Sequence, residues 1–333
     1  MQKQKVTIYD VAREAKVSMA TVSRVVNGNT NVRQETRDRV LAVIKRLHYQ
    51  PNAVAQGLAS KKTTTIGLFV PDLTNLYFSE LSKGIDDIAM IYKYNIILSS
   101  IENRLMREGD VIQGLLNKQV DGIIYMSNRL SKEAEEAFLR TKTPVVLAGT
   151  LDNDGHLPSV NIDYIKADTE AFELMYASGK KNIAIAVGDS EAVINKQHRL
   201  VAYRRFLEAH HLGEGHVYRN IQNYADGYNL YAQLKQEKID GIFVTKDLPS
   251  AGIVNAASEK GTKVPEDLEI ITATATDIVK VVRPKLTAVK QPLYDIGAVA
   301  MRMLTKLMGD EPLEDKKVVL PYALEKNDST STR

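Results

Sequence analysis

The sequence predicts an α/β protein in two unequal parts: a small helical head, and a large body built on parallel sheets. Three observations predict it. Residues 7–47 carry apolar positions at helical spacing, punctuated by capping residues and a stop at Asn27-Gly28. Beyond residue 62, short β-rich runs alternate with helix-length segments, the pattern of parallel sheets covered on both faces. Charge divides at the same place: residues 1–62 hold 12 Lys and Arg against 4 Asp and Glu, while the remaining 271 hold 32 against 37. A basic head on a mildly acidic body is the distribution of a polyanion-binding module joined to something with another task.

In the head, Ile8, Val11, Ala12 and Ala15 form one helical stripe and Val22, Val25 and Val26 a second. Thr7 followed by Asp10 has the form of a capping box, and Ser18 can start the second helix in the same way. Only Lys16 and Val17 remain for the turn between them, and glycine at position 28 suits a left-handed helix stop. Helix, tight turn and helix within two dozen residues describe a helix-turn-helix. Its second helix leaves Ser18, Met19, Ala20, Thr21 and Arg24 on the outer face. In such a motif that end meets base edges in the major groove, where short side chains allow close approach and arginine forks onto guanine. A third helix is expected from about residue 33 to 47, with Val40, Leu41, Ile44 and Leu47 inward and Arg33, Arg37, Arg39, Lys45 and Arg46 towards phosphate.

Composition sets bounds on the rest. With 44% hydrophobic and 26% charged residues the chain is an ordinary globular one, long enough for two or three domains. No cysteine means no disulfide, no thiolate nucleophile and no zinc-thiolate site. The N-terminus lacks an apolar signal core and no run approaches the ~18 apolar residues of a membrane span, so a cytoplasmic location is expected.

Residues 51–62, PNAVAQGLASKK, follow a proline and are too few for a helix stable by itself in water. A hinge that folds when ordered by DNA fits better than a plain linker. Leu58, flanked by Ala55 and Ala59, suits insertion into a minor-groove step, with Lys61 and Lys62 near phosphate.

TIYDVAREAKVSMATVSRVVNG, followed by VRQETRDRVLAVIKRLHYQPNAVAQGLASKKTTTIGLFVPD, resembles the LacI/GalR family of bacterial transcription regulators, and the likeness extends to about residue 310. The resemblance implies a headpiece over 1–50, a hinge helix over 51–62 and a two-lobed periplasmic-binding-protein-like core over 63–333. One lobe would comprise about 63–160 and 291–320, the other about 161–290 and 321–333. It also implies a homodimer on a pseudo-palindromic double-stranded operator. Ser18, Met19, Ala20, Thr21 and Arg24 would be recognition residues, Thr7, Tyr9 and Asn31 further DNA contacts, and Leu58 the inserted leucine with Ala59 and Lys61 beside it. Gln56 stands where close relatives have arginine.

In the body, strands are expected at 65–70, 95–100, 122–126, 144–147, 182–187, 241–245, 268–272 and 287–290, and helices at segments such as 78–92 and 199–210. The family holds small effectors between its lobes. Arg199 and Asp247 match positions that hydrogen-bond a sugar in relatives, and the chemistry suits hydroxyl or phosphate. Their surroundings differ: TKDLPSAG replaces GTDEMALG, and ITATATD replaces IGFDN. A salt-bridged surface role for either residue is the competing expectation.

The segment YDIGAVAMRMLTKLM after Gln291-Pro292 offers a second site. Ile296, Ala300, Met303, Leu304 and Leu307 form a core stripe, and Asp295, Val299, Arg302 and Lys306 fall on another face. Two cations at i and i+4 repel slightly, and a docked phosphoserine would relieve them. The branch of the family devoted to carbon catabolite control uses this motif to bind the phosphocarrier protein HPr phosphorylated on serine. Tyr294, Asp295, Arg302 and Lys306 match it, while Ala323 stands where relatives carry a further phosphate-contacting arginine.

Enzymatic signatures fail: there is no GxGxxG, Walker A loop, HExxH or GxSxG, and adjacent His210 and His211 point about 100° apart on a helix, poor geometry for a chelate. They read as surface histidines. No cofactor and no metal are expected. The expectation is a dimeric regulator of carbon metabolism with phosphorylated HPr as corepressor. The alternatives are a repressor answering to a sugar or sugar phosphate in the cleft, a paralogue with reduced corepressor dependence and, from another class, a soluble sugar-binding protein or enzyme whose basic head is incidental.

Overall fold

The computed structural model describes residues 6–26, 28–29, 31–50, 62–101, 107–152 and 154–331. It divides into two compact units, Met1–Thr63 and Thr64–Arg333. The first contains α1 (Ile8–Ala15), α2 (Met19–Val26) and α3 (Gln34–Leu47). Its core is small and aliphatic: Val11, Ala12, Ala15, Val22, Val25, Val40 and Val43, with Ile8, Val17, Ile44 and Leu47 packed around them. Leu41, expected inside, is 47% exposed, and Val43 takes its place. The inward stripe of α3 therefore runs 40, 43, 44, 47, and Leu41 lies a quarter turn away.

The second unit is a two-lobed α/β structure on two six-stranded sheets, ordered β11-β5-β4-β3-β1-β2 and β12-β10-β9-β8-β6-β7. The first sheet is built from β1 (Thr65–Val70), β2 (Asn95–Ser100), β3 (Gly122–Tyr125), β4 (Val145–Ala148), β5 (Ser159–Ile162) and β11 (Lys317–Leu320). The second comprises β6 (Ile183–Ala186), β7 (His216–Tyr218), β8 (Gly241–Val244), β9 (Glu269–Thr272), β10 (Thr287–Lys290) and β12 (Ala323–Glu325). Every pairing is parallel except β10 with β12. Runs such as GIIY, VVLA and IAIA are buried along their whole length, as central strands covered on both faces must be.

Helices α4 (Leu76–Ile91), α5 (Glu108–Asn117) and α6 (Lys132–Arg140) serve the first sheet. In chain order, α7 (Tyr164–Ala177), a π-helical turn (Ile194–Arg199), α8 (Leu200–His210), α9 (Tyr224–Gln236), α10 (Asp247–Glu259) and α11 (Ile278–Val281) serve the second. α12 (Leu293–Met308) then returns to pack on α4 and on β3, β4 and β5. The chain thus passes between sheets three times: after β5, after β10 and between β11 and β12. The crossing of α4 with α12 is close because glycines make it so. A Cβ at Gly84 would lie 2.0 Å from the Tyr294 carbonyl oxygen, and one at Gly297 would lie 2.1 Å from that of Leu81.

The expected strands are all present within a residue or two, but four strands were not expected. β7 has three residues, β5 carries Asn161 at its centre, and β11 and β12 are half-exposed and held by partners far away in sequence.

Candidate DNA interface and regulatory sites

In the head, the local chemistry that folds α1 and α2 also decides which groups remain outside. The Asp10 carboxylate accepts the Thr7 amide at 3.0 Å and its hydroxyl at 2.7 Å, and bridges Arg13 at 2.8 Å. These contacts, the Thr7 hydroxyl first, hold the Asp10 carboxyl below its ordinary range. Ser18 caps α2: its Oγ accepts the Thr21 amide at 3.2 Å and lies 2.9 Å from the Thr21 hydroxyl. At the far end Gly28 is left-handed, φ +70°, and the Asn29 amide donates to the Arg24 carbonyl at 2.9 Å, which closes the helix.

With Val22 and Val25 buried, Ser18, Met19, Ala20 and Arg24 are exposed and Thr21 is half-buried. Thr7, Tyr9 and Asn31 are exposed as well, Tyr9 by 65%. Arg24 has no carboxylate partner among the described residues. Two of the five cations assigned to phosphate on α3 are otherwise engaged. Arg46 pairs with Glu14, and Arg37 donates to the Asn29 carbonyl, so both tie the head together. Leu58, Ala59, Lys61 and Gln56 lie outside the described residues.

Between the lobes lies a cavity of about 80 Å³, lined among others by Tyr77, Asn195, Arg199, Lys246, Thr274 and Gln291. That holds a handful of waters, against ~300–1,000 Å³ for a typical small-molecule pocket. Several of its polar side chains are already engaged with one another. Arg199 is 4% exposed and donates to both oxygens of Asp168, at 3.1 and 3.3 Å; Asp168 is 1% exposed. Burial, opposed by Arg199, pushes the Asp168 carboxyl from 3.8 up to about 6. Asp247 accepts the Thr276 hydroxyl at 2.5 Å and its amide at 3.2 Å, yet burial still raises its carboxyl. Lys246 donates to Gln222 at 2.8 Å, and burial lowers its ammonium. The surface role considered for Arg199 and Asp247 is therefore overturned, because both are buried. On the π-helical turn Asn195 and Arg199, four residues apart, share one face and are both buried.

Sequence reading missed Asp168, although a signal was there. Tyr164, Ala167, Asp168, Ala171, Phe172 and Met175 form the buried stripe of α7, and a carboxylate in an apolar stripe announces a buried partner.

α12 shows the opposite arrangement. Its buried stripe includes Ile296, Ala300, Met303 and Leu304, with Leu307 half-buried. Tyr294, Asp295, Arg302 and Lys306 are exposed on the other side, with Val299 half-buried among them. The Tyr294 hydroxyl donates to Asp87 at 3.0 Å, and that carboxylate holds its ionisation above the ordinary value. Arg302 and Lys306, one turn apart, have no carboxylate partner among the described residues. Ala323, exposed at the start of β12, adds no charge.

Metal-ligand chemistry is thin. Glu135, Asp154 and His156 place one donor atom each within 4.8 Å of one another, but a His156–Glu135 contact of 3.1 Å between partly exposed groups accounts for that geometry. His210, expected on the surface, is half-buried, bonded to Glu173 at 2.8 Å and packed at a tilt against the Tyr176 ring.

Comparison with known proteins follows this division. Residues 7–52 match the model of bacterial regulatory proteins of the lacI family, and residues 172–330 match a periplasmic binding protein-like domain. The HTH-type transcriptional regulator pepR1 of Lactobacillus delbrueckii subsp. lactis is 68% identical over 99% of both chains. The chain belongs to the LacI family. Within that family, catabolite control protein A of Streptococcus mutans is 49% identical over 98% of both chains. Among solved structures, the transcription regulator CcpA of Lactococcus lactis is 39% identical, covers 80% of this chain and 99% of its own, and superposes with a TM-score of 0.76. The lac repressor dimer bound to operator and the anti-inducer ONPF is 25% identical over 99% of this chain and all of its own, with a TM-score of 0.89.

A LacI-family chain is a DNA-binding transcription regulator and not an enzyme, so the coarse expectation from residues 7–62 holds. The fold expectation holds with it: a helix-turn-helix head and a two-lobed core with parallel sheets. Among the described residues no helix is long and apolar enough to cross a membrane.

Proposed function

We propose that this regulator serves carbon catabolite control, binding pseudo-palindromic operators as a homodimer with serine-phosphorylated HPr as corepressor on the outer face of α12. One observation carries the reading: Arg302 and Lys306 stand exposed one turn apart, with no carboxylate partner among the described residues to neutralise them. A phosphoserine supplies the missing charge and acceptor oxygens. Tyr294, hydrogen-bonded to Asp87, and Asp295 flank the site and give a partner polar contacts to register on. The close likeness to proteins named catabolite control protein A supports the same reading.

Ser18, Met19, Ala20, Thr21 and Arg24 are the proposed base-reading group, with Thr7, Tyr9, Asn31, Ala59 and Lys61 as further DNA contacts and Leu58 the residue inserted at the centre of the site. One head reads only a half-site, so a pair is needed. The core offers apolar surface for a second copy. Met90, Ile91 and Tyr92 at the end of α4 are 68, 69 and 48% exposed, and Leu98 on the edge strand β2 is 45% exposed. Corepressor binding favours one arrangement of the lobes, and operator affinity rises by the coupling energy between the two sites.

The test is fluorescence anisotropy of a labelled catabolite operator with and without serine-phosphorylated HPr, in a salt series. The expected outcome is specific binding at physiological salt that tightens at least about fivefold with the phosphoprotein, the low end of ordinary allosteric coupling. Equal affinity in both arms refutes the corepressor.

A second reading rests on a different atom. Gln291 Oε1 is buried, lines the inter-lobe cavity and has no hydrogen-bond partner among the described residues, while its amide donates to the Ala273 carbonyl at 2.8 Å. A sugar or sugar phosphate hydroxyl donating to that oxygen would relieve it. Calorimetry with hexoses and hexose phosphates decides this reading.

A further inference from the structure

A second depression, of about 490 Å³, opens on the lobe of the second sheet beside its edge strand β7, separate from the inter-lobe cavity. We propose that it binds a small organic phosphate through Arg204 and Arg219. Three cations line it, and they are not equivalent. Lys196 is already bridged to Glu191 at 3.2 Å. Arg204 donates its Nε to the Leu200 carbonyl at 3.3 Å, which leaves both terminal amino groups without an acceptor among the described residues. Arg219 has neither an acceptor nor a carboxylate partner among them. Two exposed guanidinium groups with open donors line one depression, and a guanidinium fork suits the oxygens of a phosphate monoester.

The remaining lining defines the other end of the ligand. Leu200 and Val217 are apolar, and Tyr203 offers carbon only, because its hydroxyl donates to the Ile183 carbonyl at 2.6 Å and accepts the His216 amide at 3.0 Å. Glu214 supplies a carboxylate with no cationic partner among the described residues, so a second anionic group on the ligand is repelled. The occupant is therefore a monophosphate with an apolar or hydrogen-bond-donating body, not a bisphosphate.

The site also has a route to the lobe interface. The segment 189–200 turns Asp189, Asn195 and Arg199 to the inter-lobe cavity and Glu191, Lys196 and Leu200 to the outer depression. Both surfaces share one π-helical turn, Ile194–Arg199, whose additional residue can be absorbed or released by local rewinding. A ligand that fixes Arg204 and orders this turn alters the support of Arg199 on the other side.

Phenyl phosphate, with an aromatic body and one phosphate, is the probe. Calorimetric titration into the full chain is expected to show one site, weakened about tenfold or more by Arg204→Ala and again by Arg219→Ala, the scale of a charge-assisted hydrogen bond. Arg302→Ala/Lys306→Ala is expected to bind like the unmodified chain. Hydrogen exchange is expected to slow at 194–204 on binding. Absence of binding at millimolar probe, undiminished binding by the Arg204→Ala/Arg219→Ala chain, or loss of binding in the α12 variant each overturns the proposal.

Discussion

The inter-lobe cavity and the outer face of α12 each hold an arginine in a regulatory position, and the molecule treats the two in opposite ways. Arg199 is buried and paired with Asp168. Arg302 is open to solvent, beside a second cation and without a carboxylate partner among the described residues. A buried charge must be neutralised within the fold before the fold is stable, so Arg199 is first a structural element. An exposed charge costs the fold almost nothing and stays available to a partner. Site identity is therefore better read from which groups are left unsatisfied than from which residue types line a cleft.

The comparison breaks most visibly at Asp168. Asp168→Ala leaves a buried guanidinium without its partner and is expected to cost ~3–5 kcal/mol, measured by urea unfolding. A loss under about 1 kcal/mol would mean that the cavity does not depend on the pair. Gly297→Ala attacks the other side. A Cβ 2.1 Å from the Leu81 carbonyl forces α12 away from α4 at a cost of ~1–3 kcal/mol, and shifts Arg302 and Lys306 with it. Unchanged unfolding in that variant would show that the crossing is not the platform for the α12 face.

Acidity sharpens the contrast. The Asp168 carboxyl is raised in the fold from 3.8 to about 6, so between those values the folded state holds a proton that the unfolded chain has released. This group therefore loses stability as pH rises through that window. The stability advantage of the unmodified chain over Asp168→Asn should shrink from pH 4 to pH 6.5 in thermal melts; a difference independent of pH would contradict the assignment. The smallest effect on stability belongs to Arg302→Ala/Lys306→Ala, within about 0.5 kcal/mol of the unmodified chain because both side chains are exposed and unpaired.

What the residues alone revealed, and what they concealed, follows the same contrast between local and distant causes. Thr7 with Asp10, Ser18 before α2 and glycine at 28 are local devices, and the structure uses each of them. The apolar runs of β1, β3, β4, β6 and β8 were legible because burial on both faces demands them. The α12 face was legible because a helix repeats every 3.6 residues, so exposure at 295, 302 and 306 could be counted off. β11 was not, since its identity comes from pairing with β5, some 158 positions earlier: Lys317 opposite Ser159. The lining of the inter-lobe cavity was not either. Asp168, Gln291 and the pair Asn195 and Arg199 come from three separate elements or loops, and no spacing in the chain reveals that the three meet. Leu41 misled for a simpler reason, being apolar yet a quarter turn off the stripe of α3.

The most direct measurement is a calorimetric titration of serine-phosphorylated HPr into the full chain and into Arg302→Ala/Lys306→Ala. Binding to the unmodified chain, weakened about tenfold or more in the variant while its unfolding curve is unchanged, is the expected result. Equal affinity for both chains, or no affinity for either, would contradict the claim that the open charges of α12, and not the inter-lobe cavity, receive the regulatory signal.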